Sequence, residues 1–150
     1  MEWHIQPMTA AHIPALAEIE RLSFAAPWSA EALREELDNP HAVFLVALKD
    51  TLPVGYVGMH DLLGEGFFTN VAVHPSYRKQ GVADALLSAV VAYGKEKKLY
   101  RLALEVRVGN APAIHLYEKY GFVKDGIRPG FYSAPTEDAA MYSLYFGEGN

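Results

Sequence analysis

The feature that most limits what this chain can fold into is residues 70–87, Asn-Val-Ala-Val-His-Pro-Ser-Tyr-Arg-Lys-Gln-Gly-Val-Ala-Asp-Ala-Leu-Leu. An apolar strand breaks at His74-Pro75. A polar loop follows through Arg78, Lys79 and Gln80 to Gly81, and Val82, Ala83 and Asp84 open an amphipathic helix. Small residues at Gly81 and Ala83 let another group come close to the backbone. The first N–H groups of a helix have no partner within it and lie at the positive end of its dipole, so the turn is suited to an anion such as a diphosphate. The same residues could also form a plain basic connector, because short glycine patterns recur by chance. Two better-known phosphate loops are excluded. There is no Gly-x-x-x-x-Gly-Lys-Ser/Thr, and no Gly-x-Gly-x-x-Gly follows the first strand.

With 150 residues the chain is expected to form one domain, 1–150, with a sizeable core. A net charge of −5 disfavours direct nucleic-acid binding and suits a cationic substrate. There is no cysteine, which removes disulfides, thiolate metal sites and cysteine nucleophiles. The histidines are scattered without a His-x-x-x-His pair, so no metal is expected. No apolar run has the length of a membrane span and no signal-peptide pattern opens the chain, so a cytoplasmic protein without a membrane partner is expected.

Pattern and breakers place a strand at residues 3–8. Thr9 caps a helix to about Phe24 with Ile13, Leu16, Ile19 and Leu22 on its inner side, and Ser29 caps a short second helix. Residues 43–48, 54–60 and 67–73 read as three antiparallel strands. The helix after the polar loop is expected to stop near Gly94-Lys95. Arg101–Arg107 alternates, with Leu102, Leu104 and Val106 on one face and Glu105 on the other. Asn110 begins a helix that ends at Gly121, and strands at 122–128 and 139–146 are joined by a loop at 129–138. The expected fold is α/β (α+β), a mixed, mostly antiparallel sheet of about six or seven strands flanked by about four helices.

The segment Arg78-x-x-Gly81-x-Ala83 after an apolar strand resembles the acetyl-CoA diphosphate loop of the GNAT superfamily of N-acetyltransferases. Residues 110–122 match that superfamily's Asn-x-x-Ala-Ile-x-Leu-Tyr-x-x-x-Gly-Phe in full. The preceding Leu104-Glu105-Val106-Arg107, together with Phe131-Tyr132, Glu137-Asp138-Ala139-Ala140-Met141 and Ala26-Pro27-Trp28-Ser29, is similar to the RimI-type N-terminal alanine acetyltransferases. Those enzymes act on the amino terminus of a small-subunit ribosomal protein. Ala83 stands where Gly is commoner, a replacement the superfamily allows. The resemblance spans about residues 5–144.

The resemblance implies acetyl-CoA as co-substrate and direct attack by an amine. Its acceptor would be a protein or peptide N-terminus, a ribosomal protein among the candidates. Cofactor contacts fall on Val71, Ala72, Val73, Arg78, Lys79, Gln80, Gly81, Val82, Ala83, Asp84, Asn110 and Tyr117. Glu105 is the expected base and Tyr117 the expected acid, and Glu65 and Tyr132 match positions that line the peptide side. The chemistry is coherent. Attack on a thioester needs a neutral amine, and an α-amine with a pKa near 8 is far closer to neutral at pH 7 than a lysine near 10.4. A carboxylate can take the remaining proton, a backbone N–H near Val71 can face the oxyanion, and a phenol can protonate the leaving thiolate. By periodicity alone Tyr117 could be a core aromatic, Glu105 an exposed strand residue and Asn110 only a cap. Acetylation of a small amine or a lysine side chain, and a non-catalytic acyl-CoA-binding module, are the alternative readings.

Overall fold

A computed structural model describes residues 3–147. The strands are β1 (His4–Pro7), β2 (Ala42–Lys49), β3 (Leu52–Leu62), β4 (Glu65–Val73), β5 (Arg101–Arg107), β6 (Val123–Tyr132) and β7 (Glu137–Tyr145). The helices are α1 (Ile13–Ser23), α2 (Ala30–Glu36), α3 (Val82–Glu96) and α4 (Ala111–Lys119). Among the described residues this is the α/β architecture expected, one seven-stranded sheet in the order β1-β2-β3-β4-β5-β7-β6. All neighbours are antiparallel except β4 and β5. A parallel pair needs a long crossover, and the polar loop with α3 supplies it.

Two apolar clusters hold helices to opposite faces. Val82, Leu86, Leu87 and Val90 of α3 pack with Leu102, Leu104 and Val106 of β5, with Tyr117 of α4 and with Phe122, Tyr142 and Phe146. On the other face Ile13, Leu16 and Ile19 of α1 and Leu33 of α2 pack on Phe44, Val46, Tyr56 and Ala72. This second cluster draws on β2, β3 and β4 alone among the strands, so its helices stop at β4. Each fully buried Leu or Ile contributes roughly 1.5–3 kcal/mol.

Four expectations need correction. Leu22 is 44% exposed, and the inner position belongs to Glu20, which is 1% exposed. Glu20 accepts hydrogen bonds from Tyr56 Oη (2.6 Å) and the Trp28 amide (2.8 Å), so a buried carboxylate occupies the place that periodicity assigns to an apolar residue. The helix expected from Thr9 begins as a 3-10 turn, Ala10–His12, before α1. α3 runs through Gly94 to Glu96, so Gly94 is a packing residue and not a stop: the Phe146 ring lies 2.7 Å from where a Cβ on it would stand. The loop placed at 129–138 shrinks to residues 133–136. Pro129 and Gly130 are tolerated within β6 because it is an edge strand with an irregular register between Arg128 and Tyr132.

The β4–β5 junction positions the site. The two strands pair only through residues 65–67 and 101–103, and beyond that they diverge. Just past the last pair the β3–β4 register slips: Met59 faces Phe68 and Gly58 faces Asn70, leaving Thr69 as an extra residue. Such a bulge re-aims side chains and bends the strand. The result is a fork, with Phe68 packed edge-on against Phe122 at 6.0 Å and Phe122 against Tyr117 at 5.8 Å.

Candidate active site

One arm of the fork leads into the polar loop. Lys79 and Gly81 take left-handed conformations, with φ of +62° and +87°. Alternation of this kind turns successive N–H groups toward one concavity and produces an anion nest. Side chains brace the loop from outside. Arg78 Nε donates to the Val73 carbonyl and Nη2 to Ser23 Oγ, both at 3.1 Å, and Gln80 Nε2 donates to the Ser76 carbonyl at 3.1 Å. Trp3 Nε1 donates to the Gln80 carbonyl, also at 3.1 Å.

Facing the loop is α4, and between them lies a cleft of about 340 Å³. Val73, Arg78, Lys79, Gly81, Val82, Ala83 and Asp84 line one wall. Pro112, His115, Leu116 and Lys119 line the other. These four recur at i, i+3, i+4 and i+7, one stripe along a helix. That spacing is visible in the sequence and was the signal available for them. Asp84 is held by Lys119 Nζ at 2.6 Å and by the Tyr120 hydroxyl at 3.2 Å, so its carboxylate joins α3 to α4.

The other residues expected at the cofactor do not line this cleft with their side chains, and for Val71 and Ala72 the expected contacts are main-chain groups, which side-chain burial does not affect. Ala72 is buried in the cluster under α1, and Val71 packs against the cluster under α3. Asn110 caps α4 by accepting from the Ala113 amide at 3.3 Å.

A second group gathers on β5 and the β6–β7 hairpin. Glu105 Oε2 is buried and lies 3.1 Å from Arg128 Nη1, yet no donor is aligned to it for a hydrogen bond. Tyr132 packs over the Arg107 guanidinium, 4.5 Å from its ring centre. Its phenol is pushed up by burial and then by the charge of Glu105. Tyr117 is 6% exposed. Burial, with Tyr132 adding to it, pushes its phenol far above the usual tyrosine value, so the proton stays on. Tyr132 feels the charge of Glu105 and in turn raises Tyr117, so the hairpin phenol is the electrostatic link between the other two.

Glu65 is not part of this group. It pairs with Arg101 at the closed end of the fork. Glu105 is four residues further along β5, roughly 13 Å at the usual strand rise. Arg107 and Arg128 are contributors that sequence reasoning missed. Arg107 also donates to the Ser133 and Pro135 carbonyls and to Glu137, fixing the hairpin tip. Arg128 reaches Glu105 only through the register of β6, which leaves no local signal.

A sequence model described as the acetyltransferase (GNAT) family matches residues 13–122. The chain belongs to that family. This acetyltransferase is 40% identical over 145 residues to a Bacillus subtilis protein provisionally named ribosomal protein bS18-alanine N-acetyltransferase, covering 96% of each chain. It is 31% identical over 142 residues to the Escherichia coli (strain K12) ribosomal protein bS18-alanine N-acetyltransferase, covering 93% of this chain and 95% of the other. The crystal structure of the Escherichia coli ribosomal-protein-S18-alanine N-acetyltransferase superposes with a TM-score of 0.89 at 28% identity, covering 99% of both chains. Among the described residues of the acetyltransferase no helix is long and apolar enough to cross a membrane, and no group of three or more His, Cys, Asp or Glu is arranged to hold a metal ion.

Proposed function

We propose that this acetyltransferase moves the acetyl group of acetyl-CoA to the α-amine of a protein N-terminus. A ribosomal protein N-terminal alanine, as in bS18, is the favoured acceptor. The relatives named for that reaction match from end to end, and such an acceptor would place the reaction in the cytoplasm. The observation that carries the reading is that the two expected groups are in the states the reaction needs: a buried carboxylate oxygen on Glu105 with no aligned donor, and a buried phenol on Tyr117 that keeps its proton.

The cleft suits acetyl-CoA on the chemistry of its walls. Main-chain N–H groups of residues 79–83 would hold the diphosphate, helped by the dipole of α3. A carboxylate in the first turn would repel that anion, and the ion pair with Lys119 offsets the charge of Asp84. Acetyl-CoA supplies the activated acyl group. Glu105 accepts a proton from the incoming ammonium, directly or through water, and Arg128 holds the carboxylate in place. The backbone near Val71, on the open arm of the fork, offers an N–H to the developing oxyanion. Tyr117 donates its proton to the departing sulfur. Tyr132 and the hairpin tip held by Arg107 form the wall against which the acceptor peptide lies, while Glu65 is too distant to touch the reacting amine.

The test is acetyl-CoA with a peptide bearing a free N-terminal alanine, read by mass. N-acetyl peptide is expected, with none from the same peptide blocked at its N-terminus. Product only from polyamines or lysine side chains would move the assignment to those amines. Thermal stabilisation by CoA without product from any amine would leave a binding module.

A further inference from the structure

We infer that Trp3 is a positioning residue for the diphosphate loop, fixing the direction of the Gly81 N–H from a point 78 residues earlier in the chain. The inference rests on acetyl-CoA occupying the cleft beside α3. In a trans peptide the carbonyl and the following N–H point in opposite directions. Trp3 Nε1 binds the Gln80 carbonyl from outside the loop, so the N–H of the same peptide plane, that of Gly81, is turned to the other side. Gly81 lines the cleft, and this N–H opens α3, where an anion gains most from the dipole.

Two further distances show that the indole backs this turn, and a third extends the contact to β2. A Cβ built on Gly81 would lie 3.9 Å from Trp3 Nε1. The Trp3 ring meets Tyr77, another cleft residue, edge-on at 6.1 Å. Lys49, at the end of β2, covers the Tyr77 ring at 5.6 Å. The loop is therefore fastened to the β1–β2 edge of the sheet, although nothing in the local sequence of either segment announces the other. Without the indole donor, the Gln80–Gly81 peptide is held only by its neighbours, and a glycine peptide rotates easily.

Trp3→Phe keeps an aromatic edge for Tyr77 and deletes only the donor. The expected result is an acetyl-CoA KM about three- to tenfold higher, the loss typical of one hydrogen bond, with kcat changed by less than twofold. An unchanged KM, or a kcat that falls in proportion to any rise in KM, overturns the inference. Gly81→Val separates this from the loop assignment itself. A raised KM in Gly81→Val with an unchanged KM in Trp3→Phe overturns the role of Trp3 alone. An unchanged KM in both overturns the loop assignment and the role of Trp3 with it. A spectroscopic readout covers the case of a poorly folding Trp3→Phe. The chain has two tryptophans, so Trp28→Phe leaves Trp3 as the sole indole emitter. Its emission is expected to shift with CoA and not with pantetheine, which lacks the diphosphate. The same response to both, or none to CoA, overturns the inference.

Discussion

The two walls of the fork are built from different materials. On the α3 side, the proposed ligand-facing groups are mostly main chain, and side chains hold that backbone in shape, Gln80 and Trp3 from behind and Arg78 through the Val73 carbonyl. On the β5 side the proposed chemistry lies in side chains: a carboxylate, a phenol and two guanidiniums placed by strand register, and the phenol of Tyr117 presented by α4. A backbone-built site tolerates change in the residues that line it and is damaged by change in those that brace it. A side-chain-built site loses its function when one group is replaced. Substitutions on the two walls should therefore differ both in size and in the kinetic constant they alter.

The largest effect is expected from Glu105→Gln, which keeps the shape and removes the base. Turnover should drop about 100-fold, with the acetyl-CoA KM within twofold of wild type in steady-state assays. A comparable rise in KM would mean that the walls are not separable. Tyr117→Phe comes next, with kcat lowered about 30-fold and thermal stability little changed. The wild-type pH profile checks the same group. Because burial raises the Tyr117 pKa, the phenol stays protonated as pH rises, and the rate should climb as the acceptor amine deprotonates and show no fall between pH 8 and 10 from this residue. An alkaline decline abolished in Tyr117→Phe would contradict that. The smallest effect belongs to the opposite wall. Lys119→Ala leaves the Asp84 carboxylate uncompensated beside the diphosphate, raising the acetyl-CoA KM about threefold, the scale of an exposed ion pair. Measured at high salt, the difference from wild type should shrink.

The same contrast explains what could be read from the chain. The α3 wall was legible because its determinants are local: a strand end, a loop with Gly81, and a helix start fall within eighteen consecutive residues. The α4 stripe through His115 was equally local, yet it carries no functional pattern of its own, since only the facing loop makes its surface a wall. Arg128 and Trp3 were illegible. Each acts on a residue distant in sequence, and an edge-strand register or one indole hydrogen bond has no periodic signature. Leu22 was misread because Glu20, tied to Tyr56, occupies the inner stripe where an apolar residue was expected. The hairpin was drawn too short because Pro129 and Gly130 interrupt central strands but not an edge.

The two halves of the sheet share only three residue pairs, 65–67 with 101–103. So few backbone pairs make the joint the expected pivot for any rotation of one half against the other, and the diverging strands would magnify that rotation toward Val73 and Arg107. Such a rotation would change the distance between a bound thioester and Glu105 without either group moving within its own strand. Amide exchange at Ala103 would register that swing, slowing when an occupant wedges the strands apart and stills the pivot.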